Sequence, residues 1–62
     1  MNIEQFAFEA KNQPVLLAMA GLTKNEWQAI KDFVFHGAIL EAELLEQAKT
    51  KVSDFSTHTF GK

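Results

Sequence analysis

A chain of 62 residues without cysteine holds one domain and excludes disulfides and thiolate metal sites as its means of stabilisation. A formal charge of −2, carried with six lysines and no arginine, gives no basic stripe for nucleic acid and removes the usual residue for bidentate phosphate or base contacts. No run of about 18 apolar residues marks a membrane span, and no basic segment leads into an apolar one as in a secretory signal, so the expected location is the cytoplasm.

The first element is a short helix over residues 3–11. Ile3, Phe6, Ala7 and Ala10 recur at i, i+3, i+4 and i+7, one helical face. Asn2 is its N-cap, and Glu4 suits the positive end of its dipole. Asn12-Gln13-Pro14 breaks the pattern, because proline cannot continue a helix but suits the first position of a new one. A second short helix follows over residues 14–20, with Gly21 in the position after its end.

Residues 22–27, Leu-Thr-Lys-Asn-Glu-Trp, are a complete helix start. Thr23 caps the backbone and Glu26 reaches back to the Thr23 N–H, while Leu22 and Trp27 form the ends of a hydrophobic staple. From there an apolar stripe runs through Trp27, Ile30, Val34, Ala38, Leu45, Ala48 and Val52 without a proline. Phe33 and Leu44 flank the stripe, and Phe35 and Ile39 lie on another side. The pattern predicts one helix over residues 24–52. Gly37 is the ambiguous point. It can close a helix, but Ala38-Ile39 offers no cap for a new one, and a glycine inside a helix costs only ~1 kcal/mol relative to alanine. A continuous helix of that length spans about 43 Å, against a diameter of about 27 Å for a compact chain of this size. The expected fold is therefore all-α, with two short N-terminal helices packed on one long C-terminal helix. Residues 1–52 form the helical domain, and the polar 53–62 segment is a flexible or extended tail tethered by Phe55 and Phe60. A rod that outruns its protomer points to a helical-bundle homodimer.

Catalytic chemistry finds little support. There is no cysteine, no G-x-S-x-G elbow, and Ser53 and Ser56 fall in the expected tail. Asp32 and His36 stand at i, i+4 and read as a surface pair rather than metal ligands, with His58 apart from them. The three glycines are isolated, so no phosphate loop exists, and no cofactor is expected. Glu41 falls at the centre of the long stripe, where its stem lies on apolar surface or its carboxylate fixes the register of an interface.

The leading functional expectation is a small non-enzymatic interaction module, of the accessory type found in phages, plasmids and bacteria, that binds a protein partner and modulates or inhibits it. Phe33, Phe35, Ile39, Glu41 and Leu45 are the candidate partner or dimer interface, since aromatics dominate interface hot spots. The alternative is a dimeric DNA-binding regulator. Residues 13–31 can be laid on a helix-turn-helix, with Lys24, Asn25, Gln28 and Lys31 facing DNA. Leu17 and Trp27 fit that motif poorly, and Glu26 and Asp32 place acid beside the lysines.

Overall fold

Asn2 starts the first helix as its side chain requires. Its Oδ1 accepts from the Gln5 N–H at 2.8 Å, and the Gln5 Oε1 accepts from the Asn2 N–H in return. The computed structural model describes residues 2–59, with side chains as far as residue 56. Four helices follow one another: α1 (Ile3–Asn12), α2 (Val15–Ala20), α3 (Lys24–His36) and α4 (Ala42–Thr59). Among the described residues there is no strand.

The predicted face of α1 is buried through Phe6, Ala7 and Ala10, with Ile3 packed at its edge. Pro14 opens the turn into α2. That helix closes on Gly21, which takes φ +74°, the left-handed conformation that costs glycine little. Its N–H donates to the Ala18 carbonyl, and the Leu22 N–H donates to that of Leu17, so two otherwise free carbonyls are satisfied. The predicted capping box of α3 is complete. Thr23 Oγ1 accepts from the Glu26 N–H at 3.2 Å, and Glu26 Oε1 accepts from the Thr23 N–H at 2.9 Å. Leu22 and Trp27, the two ends of the staple, both pack against the core.

The single long helix does not form. Gly37 takes φ +67° and ends α3, with its N–H donating to the carbonyls of Phe33 and Asp32 and the Ala38 N–H donating to that of Asp32. Residues 38–41 then turn the chain, and α4 starts at Ala42 without needing the cap that the sequence lacks. The physical reason is that the two halves of the stripe close on each other. Ile30 of α3 and Leu45, Ala48 and Val52 of α4 are all buried in one cluster, and Trp27, Val34 and Phe33 pack against it. Part of the apolar surface assigned to a second chain, Leu45 above all, is thus covered within one, while Phe33 and Phe35 are half-buried and Ile39 stays exposed.

The tail also differs from expectation over residues 53–59, which continue α4. Phe55 is buried and sets its ring edge against Phe6, with centroids 6.1 Å apart and planes at 79°. Leu45, Ala48, Val52 and Phe55 keep the 3-4-3 spacing of one face, so burial of that face carries the helix on through a polar stretch. Phe60, the other expected tether, lies outside the described residues. The radius of gyration is 10.5 Å, and the longest dimension is 32 Å. A surface of 4183 Å² compares with the roughly 4,000 Å² expected of a compact monomer of 7.0 kDa.

Candidate functional site

The corner where α2 meets α3 is fixed from α4. Lys51 sends its Nζ to Glu26 Oε1 at 2.8 Å and to the Gly21 carbonyl at 3.0 Å. One carboxylate oxygen thus closes the capping box and holds an ammonium. Glu26 is only 3% exposed, so water does little to solvate its charge. The hydrogen bond from Lys51 and that from the Thr23 N–H hold its carboxyl below the ordinary value, outweighing the upward push of burial. Among the described residues no fully buried side-chain nitrogen or oxygen lacks a hydrogen-bond partner, and the arrangement holds elements in place rather than presenting a reactive group. Sequence reasoning placed Glu26 correctly in the capping box but missed Lys51, because nothing local says that position 51 returns to position 26.

A second arrangement opens to solvent. A cleft of about 410 Å³ lies between the outward face of α3 and the start of α4, lined by Asn25, Gln28, Ala29, Asp32, Glu41 and Leu44. On α3 the spacing 25, 28, 29, 32 puts these residues on one helical side. Ala29 is buried and Leu44 half-buried, so they supply an apolar floor. Gln28 Nε2 donates to Asp32 Oδ1 at 3.0 Å, which steadies one carboxylate at the rim. Among the described residues, neither Asp32 nor Glu41 takes part in an ion pair. Two carboxylates and two amides over an apolar floor suit a cation with an aliphatic stem. The groove is an open cleft rather than an enclosed pocket.

Beside this cleft runs the turn from α3 to α4. Ile39 is 58% exposed and Leu40 71% exposed. Together with Phe8, which is also exposed, they are the large apolar side chains near the Gly37 turn left facing water. Phe8 meets Phe35 edge to face, with centroids 5.2 Å apart.

The five residues proposed from sequence as an interface therefore separate. Ile39 and Glu41 lie at the surface, as required. Phe33 and Phe35 are half-buried, and lysines lie over their rings: Lys49 over Phe33 at 5.3 Å, and Lys11 over Phe35 at 5.4 Å. Leu45 is a core residue within the closed chain, because α4 turns it onto α3. Glu41 stands in the turn before α4 rather than midway along a stripe, since the helix that would have placed it there is interrupted.

The four residues proposed to face DNA also divide. Lys24, Asn25 and Gln28 are exposed on α3, but Asn25 and Gln28 share their cleft with two carboxylates. Lys31 is half-buried, with its amine 5.5 Å from the Trp27 ring. Lys24 is the one lysine among the described residues without a ring, carboxylate or carbonyl partner. Among the described residues no three of His, Cys, Asp and Glu cluster as metal ligands would, Asp32 and His36 included. The side chain of His58 lies outside the described residues. No helix among the described residues is long and apolar enough to cross a membrane. Compared with family models, with curated proteins and with solved structures, the chain matches none.

Proposed function

We propose that this chain is a non-enzymatic interaction module that binds a protein partner through the cleft between α3 and α4 and the turn beside it, and so modulates or inhibits that partner. The observation that carries the reading is the exposure of Ile39 and Leu40 in the turn that leads into the cleft at Glu41. Exposed aliphatic side chains beside a polar rim are the usual composition of a recognition patch. The chemistry of the cleft selects the partner. Asp32 and Glu41 attract a lysine or arginine, the floor of Ala29 and Leu44 takes its methylenes, and an apolar residue next to it covers Ile39 and Leu40. A phosphate backbone meets repulsion from the same two carboxylates.

The test is affinity capture with the wild type and two variants, followed by reconstitution with the purified binder. The first variant is Ile39→Asp with Leu40→Asp, and the second is Asp32→Asn with Glu41→Gln. The wild type is expected to hold one stoichiometric protein. The first variant should lose it, and the second should weaken it about tenfold and flatten its salt dependence, while far-UV circular dichroism stays helical in both. Undiminished binding by both variants rules this surface out.

A further inference from the structure

We propose that the turn at residues 37–41 is a hinge, and that two copies of this chain exchange α4 through it to form a domain-swapped dimer. The argument starts from the stripe. Trp27, Ile30 and Val34 on one side of the hinge, and Leu45, Ala48 and Val52 on the other, are in phase for one continuous helix. No proline interrupts residues 24–59. The break rests on a glycine in the left-handed region, Gly37 at φ +67°, with nothing within 4 Å of the place a Cβ would take. A straightened helix over residues 24–59 is about 54 Å long at 1.5 Å per residue. The closed molecule measures 32 Å at most, so α1 and α2 cannot cover such a rod.

A second copy can cover it without a new core. Every contact that α4 makes in the closed chain can be made by the α4 of a partner: Leu45, Ala48, Val52 and Phe55 onto the core, and Lys51 onto Glu26 and Gly21. The swapped lobes repeat the closed molecule, so only the hinge differs in energy between the two forms, together with the entropy of association. At the hinge the closed form leaves Ile39 and Leu40 in water. In the open form the two hinge segments run side by side with Ala38 on the shared stripe, while Ile39 stays on the far side of the rod.

The hinge sets the balance, and Gly37→Ala shifts it. Alanine is disfavoured in the left-handed conformation of the closed form and favoured over glycine in the helix of the open form. With two hinges per dimer, the dimerisation constant should tighten by about a thousandfold. Light scattering coupled to size exclusion reads the mass, and small-angle scattering reads a radius of gyration above the 10.5 Å of the closed chain. Mixing separates exchange from simple docking. One Gly37→Ala chain also carries Glu26→Lys, and the other also carries Lys51→Glu. Each alone sets like charges together, whereas a swapped heterodimer restores opposite charges in both lobes. A dimer whose melting temperature rises on mixing supports the proposal.

A Gly37→Ala chain that stays monomeric overturns it, and so does a dimer that gains nothing on mixing. If the charge variants do not fold, the wild type refolded at about 1 mM decides, because mass action favours the dimer there. A dimer that survives dilution and reverts only after unfolding supports exchange, and its absence refutes it.

Discussion

Replacing Lys51 by methionine removes the ammonium from a buried carboxylate and leaves the rest of the capping box in place. Glu26 has a side chain 4% exposed, and Lys51 one that is 39% exposed. The two partners therefore have unequal alternatives. Without Glu26 the lysine turns to water, but without Lys51 the carboxylate stays buried with only the Thr23 N–H on it. Breaking a fully buried pair from one side costs 3–5 kcal/mol, and exposed pairs contribute less than about 1. Since only one partner is buried, about 2 kcal/mol is expected for Lys51→Met. Glu26→Gln keeps an acceptor for the Thr23 N–H and should cost about 1 kcal/mol. The double variant should cost less than the sum, because the orphaned charge is gone. For a domain of this size, 2 kcal/mol lowers the melting temperature by about 8–16 °C. It is also a large part of a total stability of about 3–9 kcal/mol.

The same pair sets an acid limb. Glu26 ionises below its ordinary value near 4.5 in the folded chain, because Lys51 and the Thr23 N–H favour the carboxylate. A depressed folded value means that the stabilisation is fully present above the unfolded value, and it is lost as pH falls through the folded one. Urea unfolding followed by circular dichroism from about pH 7 to 2.5 should show wild-type stability falling below about pH 4.5, and Glu26→Gln falling less steeply over the same range. Equal acid limbs, or Lys51→Met no worse than Glu26→Gln, refute the reasoning.

Phe55→Ala should cost about 3 kcal/mol in thermal or urea unfolding, since the ring is buried against Phe6 and leaves a cavity; a loss under 1 kcal/mol contradicts a helical, packed 53–56 segment. Thr23→Ala removes the acceptor for the Glu26 N–H and should cost about 1 kcal/mol in the same assay. Gly21→Ala meets nothing within 4 Å, so its expected loss of about 1 kcal/mol is purely conformational, and Gly21→Asn should recover part of it. Lys31→Met takes the amine from the Trp27 face and should cost no more than about 1 kcal/mol while changing tryptophan emission.

Local chemistry was legible where it is self-contained. Asn2, Thr23 with Glu26, and Gly21 announce helix ends through groups within three or four residues of each other, and each does so in the structure. The buried faces of α1 and α4 follow from spacing alone, whereas on α3 the predicted stripe of Trp27, Ile30 and Val34 shares only Ile30 with the buried set of Glu26, Ala29 and Ile30. The continuation of α4 past Val52 was also written there, in the position of Phe55, but serines and threonines around it looked like a tail. Ile39 was expected on the far side of a rod and Glu41 midway along its stripe, whereas a turn exposes both. Leu45 was read as an interface residue and is buried here within one chain, because burial against the same chain and burial against another leave the same pattern.

That last ambiguity has a physical root. An apolar stripe in phase from Trp27 to Phe55 is satisfied by a rod against a neighbour or by a hairpin against itself, and periodicity does not distinguish them. What does distinguish them is a contact between distant positions. On one straight helix, residues 26 and 51 lie about 38 Å apart at 1.5 Å per residue, whereas Lys51 and Glu26 here meet at 2.8 Å. The carboxylate that begins α3 is thus matched to an ammonium that reaches it only when α4 lies back along α3. Gly37 supplies the turn that lets it do so within one chain, and a second chain offers the same ammonium to the same carboxylate. The choice between them rests on one backbone conformation at one residue, which is why a single methyl group at position 37 is expected to move it.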